Sequence, residues 1–123
     1  KRIDACATAQ RLGVPFAMHS DAPITPIGPL FTAWCAVNRR TASGRVLGEG
    51  ERIGVADALR AITLGAAYTL SLDDRIGSIE VGKYADFCVL DRDPLTQRPE
   101  DLKDVAVVGT VLGGPPLDLP AVC

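Results

Sequence analysis

The run Val14-Pro15-Phe16-Ala17-Met18-His19-Ser20-Asp21, set off by Gly13 before it and by Pro23, Pro26 and Pro29 after it, constrains the chain more than any other stretch. An apolar segment of strand length between a glycine and a proline-rich loop reads as a buried strand that ends in polar residues. Period-2 alternation puts Ala17, His19 and Asp21 on one face, and Phe16, Met18 and Ser20 on the other. The only histidine therefore points the same way as a carboxylate, at the carboxyl end of the strand. In parallel α/β architectures ligands and catalytic groups gather at that edge, because the loops following the strands are free to vary. The same residues also read as a hydrogen-bonded core histidine and an aspartate that caps a turn, which is the commoner role of a bare His-Ser-Asp.

The flanking sequence predicts the elements around this strand. Ile3, Cys6, Ala7 and Gln10 keep helical spacing within Arg2 to Leu12, and Gly13 suits the helix C-cap. Helix, glycine turn and strand make an αβ unit of the kind that feeds a parallel sheet. A second helix is predicted from Leu30 to Arg40, with Leu30, Phe31, Ala33, Trp34 and Val37 buried and Arg39 and Arg40 at the negative end of its dipole. Thr41 to Arg52, with three glycines, reads as a surface connection. A third helix starts at Gly54 as N-cap with Asp57 at N3, and its stripe runs Val55, Leu59, Ile62, Thr63, Ala66, Ala67 and Leu70. Gly65 with Ala66 and Ala67 makes one side small, which predicts close packing on a neighbour. Beyond Asp74 the pattern becomes β, with candidate strands at Ile76–Val81, Ala85–Leu90 and Val105–Leu112, then a hard turn at Gly113-Gly114-Pro115-Pro116.

Composition excludes several classes of function. Thirteen basic and 15 acidic residues give a net charge of −2 with no run of like charge, so neither nucleic acid nor a membrane surface is an expected partner. No apolar run approaches the roughly 18 residues of a spanning helix and no leader opens the chain, which makes a cytoplasmic setting the default expectation. Cys6, Cys35, Cys88 and Cys123 form no Cys-x-x-Cys pair and read as reduced apolar residues. Gly77 to Lys83 has the spacing of a phosphate-binding loop, but Tyr84 stands where a small hydroxyl is needed and a strand is predicted where a helix should follow. Nucleotide binding is set aside, leaving Lys83 as a solvated residue of a hairpin turn. The chain of 123 residues opens at Lys1 inside a helical pattern, as the tail of a longer protein would.

Several stretches carry a more specific likeness. Ser20-Asp21-Ala22-Pro23, Asn38-Arg39-Arg40-Thr41 with Gly44, Ala58-Leu59-Arg60-Ala61 leading into Ala66-Ala67, and above all the segment from Ile76 to Asp91 resemble the carboxyl-terminal part of the metal-dependent amidohydrolases. The branch they resemble is amidohydrolase family 3, which includes N-substituted formamide deformylase-like proteins. The resemblance implies an α/β fold in which residues 1–75 are the terminal βα portion of a (β/α)₈ TIM barrel and residues 76–123 are strands of a small composite β-sandwich. Val14 to Ser20 then corresponds to the eighth barrel strand, and the helix from Leu30 to the eighth helix.

The resemblance also implies a site. Asp21 matches the catalytic aspartate that faces the metal and takes a proton from the metal-bound water, while His19 and Pro23 line the substrate pocket with no metal-ligand role for His19. The implied cofactor is a divalent metal, zinc, which brings bound water to a pKa near about 7 beside a fixed carboxylate. The implied partners are a small amide-type substrate and the amino-terminal barrel segment, which would carry the family's histidine ligands. A hydrolytic zinc site takes three protein ligands and this chain offers one His and one Asp near each other, so no metal is expected to stay bound to it alone. The expected function is a share in the hydrolysis of non-peptide C–N bonds, inactive in isolation and prone to homo-oligomerise through faces the barrel would cover. The alternative is a noncatalytic assembly or small-molecule-binding module. Gly113 to Pro116 departs from the family's Gly-Gly-Arg hairpin.

Overall fold

A computed structural model describes residues 3–113. Helices come first and a small sheet last: α1 (Cys6–Arg11), α2 (Pro29–Asn38), α3 (Val55–Ile62) and α4 (Leu64–Thr69), then β1 (Phe87–Leu90) and β2 (Val107–Val111), with 3-10 turns at Glu49–Glu51 and Pro99–Asp104.

α1 is shorter than its periodicity predicts and is held at both ends. Glu51, buried in the segment expected to be a surface connection, accepts the Thr8 amide at 2.8 Å and the Thr8 hydroxyl at 2.6 Å. A carboxylate there satisfies a first-turn N–H and complements the helix dipole. At the other end Gly13, at φ +65°, donates to Gln10 O at 3.1 Å and Val14 donates to Ala9 O at 2.9 Å. That is the Schellman pattern the glycine predicted.

The core forms where α2 lies against α3 and against the 3-10 helix Pro99–Asp104. Ala33, Ala36 and Val37 of α2 meet Ala58, Ile53, Ala7 and Leu102. Leu102 is the one large side chain among the described residues that is completely buried. Polar bonds lock the same contact: Trp34 Nε1 donates to Glu100 O at 2.8 Å, and Asn38 Nδ2 donates to Pro99 O at 2.8 Å. Phe31, expected inside, instead lies outward and stacks on Trp34 with ring centroids 5.6 Å apart.

The predicted third helix is broken at Thr63, whose φ of −116° and ψ of −90° interrupt it between α3 and α4. Its hydroxyl donates back to Leu59 O at 2.8 Å, a competing bond of the kind that bends helices. The change of axis leaves Leu70 exposed although the stripe placed it inside. Gly65 does pack closely, since a Cβ there would sit 2.5 Å from the Phe16 carbonyl oxygen.

Two expected strands are not formed. The stretch from Val14 to Ser20 carries no ladder, and among the described residues no amide of residues 16–20 donates to another backbone group. A strand exists only beside a second extended peptide, and what lies along Phe16 is helix α4. Phe16, Ala17 and Met18 are half-buried, while Val14 and Pro15 are exposed. Ile76 to Val81 is likewise a turn: Gly77 takes φ +89°, with room for no side chain, because a Cβ would stand 2.7 Å from that of Ala67.

Lys83 is not solvated as expected; its side chain is 11% exposed and its ammonium donates to Ser78 Oγ at 2.6 Å beside Glu80 at 3.5 Å. Ser78 in turn donates to Glu80 Oε1 at 2.6 Å, and these two contacts hold the Glu80 carboxyl below the usual carboxylate range. The lysine that would have reached a phosphate is consumed locally, and no helix follows it.

The last predicted strands do pair. β1 and β2 run antiparallel with Phe87 opposite Val111 and Val89 opposite Gly109, and an irregularity follows Val89. Asp86 accepts the Gly113 amide at 2.7 Å at one end, and Asp91 accepts the Ala106 amide at 2.9 Å at the other. The turn residues from Gly114 onward, and Cys123, lie outside the described residues.

Candidate functional site

The run that ends at Asp21 is shaped by local bonds in place of a ladder. Asp21 takes φ +53°, a left-handed conformation in which aspartate is better tolerated than most residues. Its carbonyl accepts the Ile24 amide at 2.9 Å, Thr25 Oγ1 donates to Ser20 O, and the Ala22–Pro23 peptide is cis. Asp21 therefore is a turn residue. His19 is not a core residue: it is exposed, and its Nδ1 accepts the Asp21 amide at 3.0 Å.

His19 and Asp21 line the same cleft, of about 610 Å³, between α1, α2 and the segment that joins them. Cys6 and Ala9 of α1 form one wall, and Thr32, Cys35 and Ala36 of α2 the other. Phe16, Ala17 and Met18 all contribute, so both faces expected from alternation meet the cleft, because no sheet holds the segment flat. Pro23 is exposed and is not among the lining residues. A second cleft, of about 440 Å³, lies across Phe16 towards α3 and α4 and holds neither His19 nor Asp21.

Sequence reasoning missed the cleft's floor. Arg39, the left-handed C-cap of α2, donates through Nε to Leu47 O at 2.7 Å, through Nη1 to Asp4 O at 2.9 Å, and through Nη2 to Ile3 O. Its charge serves three carbonyls that no local pattern links, which fits the structural role expected of it. The lining cysteines are free thiols, and burial pushes both Cys6 and Cys35 above the ordinary thiol range. A raised thiol pKa means less thiolate at pH 8. Alkylation mapped by mass spectrometry is expected to modify exposed Cys88 before these two; equal rates at the three would contradict the packing described.

The donor set does not fit a resident metal. Among the described residues no group of three or more His, Cys, Asp or Glu side chains is placed to hold one, and His19 Nδ1 is already engaged. A hydrolytic zinc site takes three protein ligands, which the described residues do not bring together.

Comparison with known proteins assigns the chain to a family. The profile of the Amidohydrolase family matches residues 1–117, and the chain belongs to that family. It is 35% identical over 102 residues to the N-substituted formamide deformylase of Arthrobacter pascens, covering 83% of this chain and 19% of that protein. It is 34% identical over 105 residues to the putative amidohydrolase YtcJ of Bacillus subtilis (strain 168), covering 83% of this chain and 20% of the relative. The crystal structure of an amidohydrolase from Thermotoga maritima MSB8 superposes with a TM-score of 0.63 at 27% identity, over 95% of this chain and 26% of that one. The chain thus has an α/β amidohydrolase fold and spans about a fifth of the length of the curated relatives it matches. No helix among the described residues is long and apolar enough to cross a membrane.

Proposed function

We propose that this chain contributes the carboxyl-terminal part of an amidohydrolase that cleaves non-peptide C–N bonds of small amide- or formamide-type substrates, with Asp21 as its reacting carboxylate. The observation that carries the reading is Asp21 standing in a cleft beside His19, in a chain that belongs to the family. A carboxylate fixed there would take a proton from attacking water and pass it to the leaving nitrogen. His19 would line the substrate space, with Pro23 on the adjoining loop.

On this reading residues 1–75 belong to a barrel and residues 76–123 to a β-sandwich. The divalent metal that the family implies, zinc by its usual chemistry, would draw its other ligands from the amino-terminal barrel segment. The alternative, a noncatalytic assembly module, is favoured by one observation: Ile24, Ile27, Ile79 and Leu112 are large apolar side chains that stand more than three-quarters exposed. Burial of these side chains between copies would make the isolated chain self-associate.

Metal content per chain, with molecular size from the same sample, tests the proposal. The isolated chain is expected to hold less than about a tenth of an ion, to associate and to hydrolyse no amide, given its incomplete ligand set. The full-length protein is expected to hold metal and turn over an amide panel. A full-length protein with metal and no C–N hydrolysis would overturn the catalytic reading.

A further inference from the structure

We propose that His19 is the positioning residue of the Asp21 carboxylate. The proposal rests on Asp21 being the reacting group and adds what aims it. The Asp21 amide donates to His19 Nδ1 at 3.0 Å, from the backbone to a side chain two residues earlier. That is the geometry of an Asx-turn, with the imidazole Nδ1 standing where an asparagine or aspartate Oδ1 ordinarily accepts.

The bond matters because no β-ladder holds this segment among the described residues. No amide of residues 16–20 is tied to another backbone group among the described residues, so no sheet dictates where the chain turns. The left-handed φ of +53° at Asp21 is a sparsely populated conformation that local bonds must hold. Ile24 to Asp21 O at 2.9 Å and Thr25 to Ser20 O close the turn behind the residue, and His19 alone holds the amide side. Releasing that amide frees rotation about the bonds that carry the side chain, and with it the direction in which the carboxylate enters the cleft. A further property follows from the acceptor role. With Nδ1 accepting, the neutral ring carries its proton on Nε2.

Nuclear magnetic resonance of the ¹⁵N-labelled chain, at a pH well above the ordinary histidine pKa of ~6.5, tests this directly. His19 is the chain's only histidine, so its ring gives one unambiguous set of signals. The expected results are the Nε2–H tautomer and an Asp21 amide that exchanges about three- to tenfold more slowly than in His19→Phe. His19→Asn should restore that protection, because its Oδ1 fills the same position. In the full-length protein His19→Phe should lower kcat, and His19→Asn should recover most of the loss.

An Nδ1–H tautomer, or equal exchange at Asp21 in wild type and His19→Phe, would overturn the proposal. If Asp21→Asn abolishes turnover while the tautomer or the protection is absent, the positioning role alone falls. If Asp21→Asn keeps full turnover, the positioning role falls together with the functional reading, whatever the tautomer.

Discussion

Asp21→Asn in the full-length protein is expected to lower amide turnover by about 10²- to 10⁴-fold, the usual share of a positioned acid–base group. Asparagine is the informative substitution, because it keeps the size of the side chain and is, like aspartate, at ease at positive φ. The turn at φ +53° should therefore survive, along with the Ile24 and His19 bonds to the residue's backbone. Loss of activity then reports the lost proton acceptor and not a displaced loop. Alanine would confound the two. KM for a neutral amide should change little, since a group acting only as the reaction proceeds leaves ground-state binding intact. Turnover within about twofold of wild type would remove Asp21 from the mechanism.

Leu102→Ala is the largest expected loss of stability, about 2–5 kcal/mol. Leu102 is the only large, completely buried side chain among the described residues, and its neighbours Ala33, Ala36 and Ala58 are too small to collapse into the space it would vacate. Backbone bonds from Trp34 and Asn38 to Glu100 and Pro99 hold the 3-10 helix against α2, which further restrains relaxation. Against a typical total stability of about 5–15 kcal/mol the loss is severe. Denaturant unfolding should place the midpoint far below that of wild type. An unchanged midpoint would mean that the alanine-lined centre is not where the chain's stability resides.

How much of this was legible in the sequence depended on whether the cause was local. Gly13 and Gly54 mark helix ends because each acts through its own dihedral angles, and each stands at a helix boundary in the structure. The positions of β1 and β2, though not their pairing, were readable from the sequence pattern, and the motif around Gly77 identified the family correctly. Apolar periodicity misjudged what depends on distant neighbours. Phe31 and Leu70 had the spacing of core residues yet lie outside, because Ala33 and Ala36 sit closest to α3 and because Thr63 redirects the helix. The run from Val14 looked like a strand, and strands need partners that a single segment cannot advertise. His19 and Asp21 do share a cleft, but strand alternation is not what brings them there, since residues of both expected faces line it. The Arg39 clamp was not legible, since it joins carbonyls of residues 3, 4 and 47.

The bond between Glu51 and Thr8 bears on how relatives could be recombined. A six-residue helix such as α1 is too short to persist by its own propensity. Part of what ends it correctly is supplied from 43 residues further along the chain. Residues 41–52 therefore do not behave as an interchangeable surface loop, although glycine content and position invite treating them so. A graft that brings a different loop into this scaffold must carry an acid at position 51, or bring its own helix with it. Chimeras cut between these two residues should lose α1, and with it one wall of the cleft.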